Sequence, residues 1–104
     1  MGGSEEKAGG EVLEQTGTQV KEPPLFRVLL HNDNYTTMEF VVEVLESVFA
    51  MPHEQALRTM LSVHQQGHGV CGAYPYEIAE TKVATVHALA REQGFPLRAS
   101  FEEA

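Results

Sequence analysis

The chain has no tryptophan and a single cysteine, Cys71, among its 104 residues. One thiol cannot close an internal disulfide, so nothing in the sequence asks for an oxidising compartment. Basic side chains are scarce: seven Lys and Arg stand against fifteen Asp and Glu, a formal charge of -8. That imbalance argues against unspecific attraction to nucleic acid and against docking on anionic lipid. It suits a cationic partner, such as a basic surface or a free amine. No apolar run approaches membrane-spanning length, and no secretory hydrophobic region marks the N-terminus. Gly-rich phosphate loops, paired catalytic carboxylates and basic aromatic stripes are also missing, which leaves enzymatic chemistry without a motif. The expectation is a soluble cytoplasmic protein, not an enzyme, with no cofactor.

What the chain does have is one core's worth of apolar residues, 42% of the total, enough for one domain. Residues 1–22 are rich in Gly, Glu, Gln and Thr and lack aromatics. Such a segment buries too little apolar surface to offset the entropy of ordering it, so a disordered tail is expected there. Pro23 and Pro24 close it, and residues 23–104 read as the folded domain. Residues 25–31, LFRVLLH, are β-rich and short, a strand. Thr36 with Glu39 three positions on gives a capping-box signature, and Met38, Val41, Leu45 and Val48 follow at helical spacing toward an end near Ala50. Pro52 suits the first turn of a second helix, whose apolar stripe runs Ala56, Leu57, Met60, Leu61, Val63 and His64 to a stop at Gly67. Residues 70–74 read as a strand interrupted by Gly72. Pro75 turns the chain into a third helix with Ala79, Val83, Val86 and Ala90 on one face, ended by Gly94. Leu97, Ala99 and Phe101 then alternate with polar residues, the period of a half-buried strand. The order β-α-α-β-α-β predicts an α+β, two-layer sandwich: a three-stranded antiparallel sheet covered on one face by helices.

The loop after the first strand holds the chemistry. Asn32, Asp33 and Asn34 satisfy turn backbone and cap helices in any protein. They also project a carboxylate and amide oxygens beside an apolar helix, a receptor for an ammonium group, which carries only donors. His64 and His68 have i, i+4 spacing, yet Gly67 lies between them at a helix end and Cys71 is the only thiol, so no metal site is expected. Cys71 with His64 lacks a third orienting group for nucleophilic catalysis and reads as a small buried hydrophobe. Met38, Val41, Met60 and Val63 are core by periodicity, and equally suit an adaptable apolar pocket.

The runs NDNYTTMEFV and VCGAYPYEIAETKVA, with MLSVHQQGHGV between them and a late Pro-Leu, resemble the ClpS family of ATP-dependent Clp protease adaptors. The resemblance extends from about Pro23 to the C-terminus. It implies an adaptor that binds the free N-terminal Leu, Phe, Tyr or Trp of N-degron substrates and delivers them to the ClpA unfoldase of a bacterial ClpAP protease. By the same resemblance Asn32, Asp33 and His64 hold the substrate's α-amino group. Its first side chain enters a pocket of Met38, Val41, Met60, Val63 and Leu97 with Thr36 at the rim, and Met38 bars β-branched residues. Glu77 and Lys82 match the contact with the N-terminal domain of the unfoldase, the tail serves delivery, and the adaptor acts as a monomer. Two positions depart from the family pattern. Asn34 stands where Asp is common, and Thr37 where Pro is common, which implies a slightly softer helix start. The alternative is a structural interaction domain like the C-terminal domain of ribosomal protein L7/L12, which shares the element order but gives Asn32, Asp33 and His64 no reason to converge.

Overall fold

The computed structural model describes residues 22–104, so the expected tail lies, but for Glu22, outside the described residues. The element order is β1 (Leu25–His31), α1 (Met38–Ser47), α2 (His53–Gln66), β2 (His68–Pro75), α3 (Tyr76–Gln93) and β3 (Arg98–Glu103). It matches the β-α-α-β-α-β expectation. The sheet runs β2-β1-β3, and both pairings are antiparallel. The first strand is therefore the central one, which explains its run of Val and Leu. Val28 and Leu30 point to the helices and are fully buried, while Arg27 reaches out to Glu102 at 3.0 Å on the other face. A register shift between Val28 and Leu29 leaves Cys71 as the extra residue of β2. That bulge lets β2 run from His68 to Pro75, longer than the expected 70–74, because the irregularity at Gly72 is absorbed instead of ending the strand.

The core lies between sheet and helices, with Val44 and Leu45 of α1, Ala56 of α2, and Ala79 and Val86 of α3 closing over β1. Leu57 and Leu61 were expected in the buried stripe of α2 but stand 37% and 45% exposed. Only Ala56, Met60 and Val63 are buried, because α2 lies at the margin of the helical layer and covers its partners with a narrow seam.

Helix ends account for the other local differences. The cap of α1 is Thr37, one residue after the expected Thr36: its hydroxyl accepts from the Phe40 amide at 3.1 Å. A proline here could not make that bond, so Thr37 firms the helix start instead of softening it. The helix ends at Ser47, short of Ala50, and Ala50 takes a left-handed φ of 55°. Its last turn holds no basic residue. Lys82 supplies one from α3, its Nζ donating to the Val48 carbonyl at 2.7 Å while lying over the rings of Phe49 and Tyr74. A cation there satisfies an orphan carbonyl and opposes the negative end of the helix dipole. Pro52 caps α2 without entering it, and Gly67 ends that helix at φ 91°, as the sequence predicts.

Candidate functional site

Where β1 gives out at His31, the chain must turn from the end of the central strand into α1. The Asn32 amide donates to the Gly67 carbonyl at 2.9 Å, tying this turn to the C-terminus of α2. Asp33 then organises the loop. Its Oδ1 accepts from the amides of Tyr35 at 2.8 Å and Thr36 at 2.7 Å, and its Oδ2 accepts from the Thr36 hydroxyl at 2.7 Å. Burial pushes the Asp33 carboxyl up, but the hydrogen bonds from the Thr36 amide, the Thr36 hydroxyl and the Tyr35 amide outweigh it and leave its pKa below the ordinary 3.8. The carboxylate is ionised at neutral pH and held in one orientation by its own turn. The two readings of this loop are thus compatible: the residue that builds the turn also presents the charge.

A cavity of about 280 Å³ opens at this point. The loop contributes Asn32, Asp33, Asn34 and Thr36, α1 contributes Met38 and Val41, and α2 contributes Met60, Val63 and His64. Polar groups therefore gather at the loop side and the exposed end of α2, and aliphatic groups along the seam between the two helices. Met60 and Val63 are 9% and 3% exposed and form fixed walls, whereas Met38 is 44% exposed. The structure brings together eight of the nine residues expected for the amine grip and the pocket. Leu97 is the ninth: it is buried just before β3 and lines a separate groove with His87, Phe95 and Arg98. Glu77 is exposed on the first turn of α3, and Lys82 is half-buried on the same helix; neither lines the cavity.

Gly69 is a residue the sequence did not single out. A Cβ there would sit 2.8 Å from Val63 Cγ2, so the absence of a side chain lets β2 pass directly beneath a wall of the cavity. Only the return of β2 beneath α2 across the Gly67 turn reveals this; no residue pattern does. The Cys71 thiol is buried, and burial pushes it up to about 12, a hydrogen bond with the Leu30 backbone opposing weakly. It is a structural hydrophobe, with no thiolate for chemistry at neutral pH. Among the described residues no group of three His, Cys, Asp or Glu side chains is placed to hold a metal ion. His31, whose Nε2 lies 2.6 Å from Ser100 Oγ, is lowered from its ordinary 6.5 first by burial and then by Arg98 and His68 across the strands.

The family model described as ATP-dependent Clp protease adaptor protein ClpS matches residues 21–100. The chain belongs to the ClpS family. It is similar to the ATP-dependent Clp protease adapter protein ClpS of Oleidesulfovibrio alaskensis, 64% identical over 85 residues that cover 82% of each chain. The ClpS of Desulforapulum autotrophicum is 53% identical over 96 residues, 88% of this chain and 92% of that one. Among solved structures, Agrobacterium tumefaciens ClpS2 bound to L-phenylalaninamide superposes with a TM-score of 0.77 at 40% identity, covering 80% of this chain and all of that one. The family and the α+β fold expected from the sequence are thereby established. The chain is a Clp protease adaptor of a kind found in bacteria, and not an enzyme. The L7/L12-type alternative falls away. Among the described residues no helix is long and apolar enough to cross a membrane.

Proposed function

We propose that this adaptor binds the free N-terminal Leu, Phe, Tyr or Trp of N-degron proteins in the loop–helix cavity and hands them to the N-terminal domain of a ClpA-type unfoldase. One observation carries the reading: an ionised, orientation-locked carboxylate, Asp33, shares a cavity with the buried side chains of Met60 and Val63. A free N-terminus is an ammonium one carbon away from a side chain, so its receptor needs charge and oil side by side. Asn32, Asp33 and His64 take the amine; Met38, Val41, Met60 and Val63 take an apolar first side chain, with Thr36 at the rim. The L-phenylalaninamide held by the A. tumefaciens relative has that same pairing of amine and aromatic ring, which supports the assignment.

Magnitudes agree. A carboxylate offers about four acceptor positions, and the loop uses three, leaving capacity on Oδ2 for an ammonium. Hydrogen bonds to a charged group contribute about 1.5–3 kcal/mol each, and burying a Leu or Phe side chain contributes about 1.5–3 kcal/mol more. Because Asp33 is already fixed, little side-chain entropy is lost on binding. After association costs of several kcal/mol, an affinity around micromolar follows. The cavity takes no residue from α3, so an unfoldase docked on Glu77 and Lys82 leaves it accessible. A cytoplasmic monomer suits that arrangement.

Delivery is the test. With ClpA and ClpP present, adding the protein is expected to accelerate degradation of a reporter starting with Leu or Phe and not of its Met-starting twin. Equal rates for both reporters with and without the protein count against the assignment.

A further inference from the structure

The cavity is not the end of the apolar seam. On its far side lies a groove of about 360 Å³ lined by Met38, Glu39, Val42, His53, Leu57 and Met60. Met38 and Met60 belong to both. Met38 and Val42 are one helical turn apart on α1, and Leu57 and Met60 nearly so on α2, so the two pairs line one continuous cleft. What divides it is a pair of thioethers. Their roles differ: Met60 is 9% exposed and packed into the core, while Met38 is 44% exposed at the first position of α1. The groove beyond is apolar at its floor through Val42 and Leu57 and opens to solvent past Glu39 and His53.

We infer that Met38 is the partition that sets the greatest length of first side chain the cavity accepts, and that Val42 and Leu57 form a second compartment which receives the distal ring of a biaryl side chain once Met38 is shortened. This rests on the proposed binding of a substrate's first residue. Beyond Met38 it concerns Val42 and Leu57, which line no part of the cavity, and a dimension, length along the seam, that branching at the β carbon does not probe. Thioethers have low torsional barriers and few fixed contacts at an exposed position, so truncating Met38 opens the seam without collapsing it.

The experiment is fluorescence anisotropy with two labelled peptides identical except for the first residue, Phe or 4-phenylphenylalanine. Each is titrated into the native protein, Met38→Ala, Leu57→Asn, and the double variant. Leu57 is 37% exposed and outside the buried core, so its replacement leaves the fold intact, which circular dichroism and thermal melting verify. The native protein is expected to bind the Phe peptide and to bind the biaryl peptide at least about tenfold more weakly. Met38→Ala should tighten the biaryl peptide about tenfold, the scale of burying one more ring. The double variant should lose that gain while its affinity for the Phe peptide stays that of Met38→Ala. Absence of a biaryl gain in Met38→Ala, or a gain that survives Leu57→Asn, overturns the inference while leaving the cavity's own role standing. A folded native protein that ignores the Phe peptide removes the binding reading, and the partition with it.

Discussion

Each oxygen of the Asp33 carboxylate is engaged by the loop it belongs to, Oδ1 by two amides and Oδ2 by one hydroxyl. The sequence displayed this residue as a polar one beside an apolar helix, which was enough to mark the loop, but the bonds that fix its orientation depend on backbone geometry no spacing rule contains. Because those bonds lower its pKa, Asp33 contributes stability above its ordinary 3.8, and that contribution is lost as pH falls through the lower folded value. Leu97 stands apart from the other eight for a related reason. Its alternation with Ala99 and Phe101 announces burial, yet burial does not say against what, and the groove it lines is that of His87, Phe95 and Arg98. Gly69 was invisible in the sequence and is consequential in space. Gly69→Ala places a methyl 2.8 Å from Val63 Cγ2, with the Thr59 carbonyl 3.5 Å away on the same side. Overpacking of this kind costs about 1–3 kcal/mol, and the cheapest relief moves Val63 into the cavity. Urea denaturation should show that loss, and anisotropy should show weaker binding of a Phe-starting peptide by more than the folded fraction explains.

The elements were the most legible layer, since each follows from apolar period and punctuation. The two glycine stops, Gly67 and Gly94, take left-handed φ values of 91° and 77° because helix ends there need them. Starts were harder to place. Thr36 and Thr37 are both good cap types, and the structure decides by giving Thr36's hydroxyl to Asp33 and Thr37's to the helix. Replacing Thr37 by Ala is expected to cost about 1 kcal/mol through the lost cap, read as a lower urea midpoint with unchanged slope. Thr36→Ala instead loosens Asp33, so the two variants should separate: the first weakens folding more than peptide binding, the second the reverse. α1 ends at Ser47, three residues before the expected Ala50. Ala50 continues the apolar-compatible composition, and only its left-handed φ and the Lys82 contact to Val48 show that the helix has already closed.

For the molecule as a whole, a net charge of -8 accompanies a cavity proposed to take a cation. Diffuse charge brings an ammonium close and repels anionic surfaces, but it selects nothing. On the proposed function, selection comes from placing one locked carboxylate where an apolar seam begins, and the β-α-α arrangement sets the end of the central strand against the seam of two helices. The open sheet face, with Arg27 and Arg98 among its outward residues, takes no part in the cavity.

The direct test of that claim is a comparison of one Phe-starting peptide with its N-acetylated twin, titrated against the full chain from about pH 7 to 9.5, a range that spans the α-amino pKa of roughly 7.7–8.0. The free peptide should bind at pH 7 and weaken progressively as its ammonium deprotonates, while Asp33, with its lowered pKa, stays ionised throughout. The acetylated twin should not bind at any pH in the range. Equal affinity of the two peptides, or affinity of the free one indifferent to pH, contradicts the account.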